Sequence, residues 1–114
     1  MTPIAEPVPR LDVVLGRADD ARAEVYVCLV GGPAGATITG TLTGPRCRLA
    51  TTLPTTPPLR PLAGEGRAAA RAIVTEPSFW TPELPNLYEV VAEARTTAGV
   101  CAATRRLVGL RRLG

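Results

Sequence analysis

The side chains best suited to acid–base chemistry in this 114-residue chain are ten Asp and Glu residues, because the sequence contains no His. Hydrolysis by paired carboxyl groups requires two of them to face each other about 5 to 10 Å apart across a pocket. Several fall at turns or on polar strand faces, where solvated charge is the simplest interpretation: Asp12, Asp19, Asp20, Glu89 and Glu93. We therefore expect no catalytic residue, and the lack of His also excludes His-based triads.

The three cysteines, Cys28, Cys47 and Cys101, do not have the spacing of a metal site. Cys28 acting as a nucleophile would lack a His base. The simpler interpretation is that these are buried, reduced thiols in a cytoplasmic protein. We expect neither a metal ion nor a cofactor.

The length of 114 residues predicts one domain, and a composition that is 46% hydrophobic and 20% charged indicates that it is globular. The net charge of +3 comes from scattered arginines, without the basic stripe that a nucleic-acid-binding surface needs. No apolar run approaches the ~18 residues that span a bilayer. Residues 1–10 form a Pro-rich lead that lacks the apolar segment of a signal peptide. We therefore expect the folded domain to occupy residues 11–114, away from membranes and nucleic acids.

Period-2 alternation interrupted by turn residues predicts about seven short strands. The clearest is at residues 36–43, where Ile38 and Leu42 share one face and four threonines share the other. Gly44-Pro45 is expected to end this strand. Residues 22–30 are apolar on both faces, which favours a central strand. The pattern as a whole predicts an all-β, antiparallel, immunoglobulin-like β-sandwich.

Other segments are less regular. Residues 47–52 could form a short strand, and the Pro-rich residues 53–66 indicate a loop or an irregular edge. The Ala-rich residues 67–74 are more consistent with a strand than with an isolated helix, although alanine favours helices. Strands at residues 87–94 and 100–110 complete the set.

Residues 79–88, Phe-Trp-Thr-Pro-Glu-Leu-Pro-Asn-Leu-Tyr, contain the only Trp and two of the prolines. Pro82 and Pro85 fix φ and hold the preceding residues extended, which indicates a stiff crossover between sheets. Trp80 is expected to be mostly buried and to close one end of the sandwich. Tyr88 lies where immunoglobulin-like folds have a tyrosine corner. The alternative is that these aromatic rings form a platform on which sugars stack.

This segment resembles the Trp-(Ser/Thr)-Pro-Glu-x-Pro-x-Leu-Tyr signature in the immunoglobulin-like domain of family 2 glycoside hydrolases, the β-galactosidase and β-glucuronidase group. The run Val108-Gly109-Leu110-Arg111 is similar to the Val-Gly-Phe-Arg element that closes that domain. The resemblance assigns the structural signature to Trp80, Pro82, Pro85, Leu87, Tyr88, Gly109 and Arg111.

The resemblance implies a domain that acts mainly as a spacer, since the family's catalytic carboxylates lie in a barrel that follows it. We therefore expect a non-catalytic module of carbohydrate metabolism that works beside a catalytic glycosidase chain or associates with itself. The alternative is a free-standing domain that binds carbohydrate or protein. Docking is expected through Val108, Leu110 and Leu113, unless these side chains fold back onto their own sandwich.

Overall fold

The computed structural model describes residues 9–32, 35–46, 53–62 and 68–111, and these ranges contain seven β-strands and no helix. In this part of the chain there is accordingly no helix of the length and hydropathy that crossing a bilayer requires. The strands are β1 Arg10–Ala18, β2 Arg22–Val30, β3 Thr37–Arg46, β4 Arg60–Pro61, β5 Ala69–Thr75, β6 Leu87–Thr96 and β7 Gly99–Val108.

The strands form two sheets that share one core. The first sheet has the order β1-β2-β5-β4 and the second the order β3-β6-β7, and every pairing is antiparallel. This is the strand arrangement of a seven-stranded immunoglobulin-type domain. The predicted antiparallel immunoglobulin-like β-sandwich is therefore confirmed.

The core is built from short aliphatic side chains at alternate strand positions. Val25 and Val27 of β2 pack in the same buried cluster as Ile38 and Leu42 of β3, and each is at most 1% exposed. The threonines of β3 lie on its opposite face, as the alternation predicts. Burying one such aliphatic side chain contributes about 1.5–3 kcal/mol, so these positions supply much of the sandwich's stability.

The Ala-rich segment is a strand, as predicted. β5 pairs with β2 along its length, and Ala70 and Ala72 are fully buried. Alanine favours a helix only weakly in isolation, and tertiary context readily overrides that preference. Here the alternation of β5 places both alanines on the core side of the first sheet.

Strand β3 extends further than the sequence predicts. It continues to Arg46, so the expectation that Gly44-Pro45 ends it is wrong. The register of β3 with β6 shifts between Thr43 and Arg46, and such an irregularity accommodates a proline without ending the pairing. Gly44 is also held from its other side, because its N–H donates to the Thr55 carbonyl at 3.0 Å.

The Pro-rich segment covers the outer edge of β3 before it joins the other sheet. The Leu42 N–H donates to the Pro57 carbonyl and the Leu59 N–H to the Gly40 carbonyl, both at 3.0 Å. The chain then pairs with β5 as the two-residue strand β4. The described part of this segment is thus an irregular edge, one of the two predicted alternatives. The strand considered at residues 47–52 lies outside the described residues.

A tyrosine corner begins β6, as predicted. Tyr88 is 1% exposed, and its hydroxyl oxygen accepts a hydrogen bond from the Ser78 N–H at 3.0 Å. The ring lies against Gly44, where an added Cβ would come within 2.6 Å of Cδ1. Tyr88 therefore ties the crossover between the sheets to both β6 and β3.

Tyr88→Phe tests this hydrogen bond without removing the ring. The substitution leaves the Ser78 N–H without its partner, so we expect the free energy of unfolding to fall by about 1–2 kcal/mol. Urea unfolding followed by Trp80 fluorescence measures the change. Ser78→Ala is the control, because it keeps the donating N–H and should be nearly neutral. Equal stability of Tyr88→Phe and the unaltered chain would contradict the expectation.

Candidate functional site

Three of the predicted signature residues, Trp80, Pro82 and Pro85, lie in a closed turn between β5 and β6, while Leu87 and Tyr88 begin β6. The Thr81 N–H donates to the Leu84 carbonyl at 3.1 Å, and the Leu84 N–H donates to Thr81 Oγ1 at 3.0 Å. Trp80 and Pro85 face each other across the turn as an isolated β-bridge. Pro82 lies inside the turn, where its fixed φ restricts the conformations open to the chain. The turn therefore holds Trp80 at a defined position at the end of the sandwich.

The two separate parts of the signature meet at this turn. The backbone N–H of Trp80 donates to the Leu110 carbonyl at 2.8 Å. An added Cβ at Gly109 would lie 2.9 Å from Trp80 Cβ and 3.0 Å from Cγ, so a larger residue would displace the indole. The Arg111 guanidinium lies over the indole, 5.0 Å from its centroid, as a cation–π contact. We call these four residues, Trp80, Gly109, Leu110 and Arg111, the Trp80 corner.

Asn86 is a buried residue of this turn that sequence analysis did not single out. It is 6% exposed, and its Nδ2 donates to the Phe79 carbonyl at 3.0 Å and to the Leu84 carbonyl at 3.4 Å. Its Oδ1 has no hydrogen-bond partner among the described residues. An Asn before a strand signals a turn, but that signal does not distinguish a buried amide from an exposed one.

An open hollow of about 380 Å³ lies beside the Trp80 corner, lined by Phe79, Trp80, Thr81 and Arg111. Stacking a sugar requires a free aromatic face. Arg111 lies over the indole, and the indole itself is only partly exposed. The geometry therefore favours a structural role for Trp80 over a sugar-stacking platform.

Of the three predicted docking residues, Val108 and Leu110 lie in the described part of the chain and do not form an exposed apolar face. Leu110 is 2% exposed and belongs to the core, and Val108 is half-buried against that core. Of the two predicted alternatives, folding back holds for Leu110, because its side chain packs inside its own sandwich and so offers no docking surface. Leu113 lies outside the described residues.

Two of the predicted thiols can be placed. Cys28 and Cys101 are free and partly buried, whereas Cys47 lies outside the described residues. Within the described ranges, no three His, Cys, Asp or Glu side chains are grouped as a metal site would require.

Three carboxylates on the strands, Asp12, Glu89 and Glu93, lie in exposed or partly exposed ion pairs, as solvated charges do. Their charged atoms approach within 2.7 Å in Glu93–Arg95, 3.4 Å in Glu89–Arg46 and 3.1 Å in Asp12–Arg10. Asp19 accepts hydrogen bonds from the N–H groups of Arg22 and Ala21, which hold its pKa below the usual value. Such surface pairs contribute about 0–1 kcal/mol each.

A charged cluster on the outer face of the first sheet was not predicted. Glu24 is 9% exposed, with the Tyr26 hydroxyl donating to it at 2.5 Å and Arg22 Nη2 at 3.2 Å. The hydrogen bond from Tyr26 is the main cause that lowers the pKa of Glu24; burial opposes it, and Arg22 and Arg71 add to the lowering. The Tyr26 ring fits because Gly16 beneath it has no side chain.

The structure is similar to part of two solved enzymes. A β-glucuronidase from Bifidobacterium dentium, solved with coumarin-3-O-glucuronide, matches 90% of this chain with a TM-score of 0.54 and 16% identity, over 17% of the enzyme. A β-glycosidase from Bacteroides vulgatus matches 96% of this chain with a TM-score of 0.53 and 12% identity, over 14% of the enzyme. No protein-family model and no curated protein matches the sequence. The likeness shows a shared fold, and the chain spans a small part of these enzymes.

Gly109→Ala should displace Trp80 and lower the free energy of unfolding by about 1–3 kcal/mol, because the added methyl overlaps the indole. Trp80→Ala should lower it by about 3 kcal/mol, near the bottom of the range for a buried Trp, since this ring is partly exposed. In the double variant the added methyl has no indole to overlap. Its loss in free energy of unfolding should therefore be smaller than the sum of the losses in the two single variants. Urea unfolding followed by circular dichroism measures all three, and strict additivity would contradict the assigned contact.

Tyr26→Phe should raise the pKa of Glu24, because the substitution removes the largest cause of its lowering. A carboxyl whose folded-state pKa is depressed contributes stability above its unfolded value of about 4.3 and loses it as the pH falls through the folded-state pKa. The unaltered chain should therefore lose stability below about pH 4.3, and the variant should lose less.

Side-chain carboxyl NMR titration measures the pKa of Glu24, and urea unfolding at about pH 7 and about pH 3 measures the linked stability. Glu24→Gln is the control, since it removes this contribution to the pH dependence altogether. An unchanged Glu24 pKa in Tyr26→Phe would show that the hydrogen bond does not control the titration.

Proposed function

We propose that this chain is a non-catalytic β-sandwich module of a β-glycosidase system, related to family 2 glycoside hydrolases, and that it acts as a spacer and assembly domain in carbohydrate metabolism. The observation that carries the proposal is the contact of Trp80 with Gly109 and Arg111. These residues come from two separate parts of the resemblance, and a general sandwich does not require them to meet. The similarity of fold to part of two β-glycosidases supports the same proposal.

The Trp80 corner has the properties that a spacer needs. A spacer must hold its neighbours at a fixed distance and orientation, so the chain leaving its last strand must not swing freely. The hydrogen bond from Trp80 to Leu110 and the stacking of Arg111 direct the chain after β7. The turn closed at Thr81 and Leu84 stiffens the other side of this contact.

The proposed partner is a separate catalytic glycosidase chain in the cytoplasm. Ion pairs with arginine account for three strand carboxylates of this module, and Tyr26 and Arg22 hold a fourth, Glu24. In this proposal none of them serves as the acid or base of hydrolysis, and the partner supplies both groups.

The second candidate is a free-standing domain that binds carbohydrate or protein, and the hollow beside Phe79 and Trp80 is the observation in its favour. Titration of the chain with mono- and oligosaccharides, followed by Trp80 fluorescence, discriminates the two candidates. A saturable change that Thr81→Arg abolishes, while the fold is retained, would favour the binding domain, because that substitution fills the hollow.

The purified chain should not hydrolyse aryl β-glucuronides or aryl β-galactosides. The physical reason is that three strand carboxylates, Asp12, Glu89 and Glu93, pair with arginines as surface charges and do not face one another across a pocket. Chromogenic assays at high protein concentration measure this. Turnover that survives repurification and disappears on substitution of one Asp or Glu would overturn the proposal.

A complementary experiment uses the tagged chain to retrieve partners from a lysate of its source cells, and assays the bound fraction for aryl β-glycosidase activity. We expect activity to co-elute with the unaltered chain and to decrease with Arg111→Ala, which frees the chain after β7. Arg60→Ala, on the exposed strand β4, is the matched control and should retrieve as much activity as the unaltered chain.

A further inference from the structure

The outer face of the second sheet carries a regular arrangement that the Trp80 corner does not use. Strand pairing aligns two rows of side chains across β3, β6 and β7, and alternation along each strand turns them all away from the core. We call these six residues the outer-face patch: Thr41, Val91 and Arg105 in one row, and Thr39, Glu93 and Ala103 in the next.

The outer-face patch surrounds an open hollow of about 460 Å³, which Gly40, Ala92 and Thr104 also line. The side chains of the middle row point toward the core, where Ala92 is 3% exposed, so the backbone of that row forms the floor of the hollow. Exposed apolar side chains border it: Val91 is 36% exposed, and Leu107, one row further along β7, is 54% exposed. An apolar sheet face with a depression can accommodate side chains from a partner.

Among the four patch residues on β6 and β7, opposite charges occupy opposite corners. Val91 pairs with Arg105 and Glu93 pairs with Ala103, so Glu93 and Arg105 lie on one diagonal and the two apolar residues on the other. Arg105 is exposed and makes no ion pair within the described residues. Glu93 uses Oε1 to bind Arg95 at 2.7 Å, and its second carboxylate oxygen makes no ion pair there.

We propose that the outer-face patch binds a second copy of this chain about a two-fold axis along the Val91–Ala103 diagonal. A two-fold axis brings the same surface of each copy together, so that residue i meets j and j meets i. This axis places Glu93 of each copy against Arg105 of the other. The long arginine side chains then cross the two facing hollows, and Val91 and Ala103 lie at the centre.

The geometry of sheets is compatible with this arrangement. With strands about 4.8 Å apart and rows about 6.8 Å apart, the diagonal axis makes the strands of the two copies cross at about 70°, nearer to the orthogonal than to the aligned way in which sheets pack. Across the patch, three strands spaced at about 4.8 Å and two rows about 6.8 Å apart give on the order of 200 Å² per copy, about a quarter of that of a standard interface. We therefore expect a weak dimer that dissociates on dilution.

Sedimentation velocity of the full chain from about 10 to about 300 µM, the range in which an interface this small should dissociate, tests the proposal. The unaltered chain should shift from monomer to dimer with concentration. R105E and E93R each place like charges on both copies, so each alone should weaken self-association at least tenfold. Far-ultraviolet circular dichroism and thermal unfolding show whether each variant is folded.

The decisive sample is the equimolar mixture of R105E and E93R. In the mixed pair each charge again faces an opposite charge, so the dimer should return. If either substitution had simply damaged the surface, mixing the two variants would not restore the dimer. R60E reverses an exposed arginine on β4 of the other sheet and should dimerise like the unaltered chain. A chain that stays monomeric throughout, dimers that R105E leaves intact, or a mixture that remains monomeric would each overturn the proposal. Neither a hydrolysis assay nor partner retrieval bears on these outcomes.

Discussion

The packing of an aromatic ring against a glycine is the constraint on which the rest of this sandwich depends. The chain has four aromatic residues, and a glycine lies beneath three of them. In each case a Cβ on the glycine would come within 3.0 Å of the aromatic side chain, so the close approach is possible only because that atom is missing. The three pairs are Tyr88 on Gly44, Trp80 on Gly109 and Tyr26 on Gly16.

Each of these contacts joins a different pair of neighbouring elements. Tyr88 links β6 to β3 within the second sheet, and Tyr26 links β2 to β1 within the first. Trp80 links the crossover to the residues that follow β7. Most of the remaining core consists of valine, alanine and leucine, and Cys28 and Cys101 are free thiols. Ring-on-glycine packing therefore supplies well-defined contacts that small aliphatic side chains alone would not specify.

The two regions on which the proposals rest lie on different parts of the molecule. The Trp80 corner is at the end of the sandwich, where it directs the chain after β7, whereas the outer-face patch covers the middle of β3, β6 and β7. Because the two regions share no residues, the chain can use both at once. A module that meets a partner at one end and a second copy across a sheet would hold two catalytic partners in a fixed relative position, which is what an assembly domain requires.

The sequence by itself determined the all-β class, the alternation of β3 and the preference for a strand at β5, and its resemblance to a known signature singled out Trp80, Tyr88 and their neighbours. The alternation and the stiffness of the turn depend on local periodicity and on the backbone restrictions of proline, which a single segment contains. Only the tertiary structure decided that β3 continues through Gly44-Pro45, that Asn86 and Leu110 are buried, and that Glu24 lies beneath the Tyr26 hydroxyl. The pairing of distant segments sets each of these features. Burial, cross-strand register and the space left by a glycine all depend on which distant segment packs opposite. The periodicity within one segment does not specify that partner.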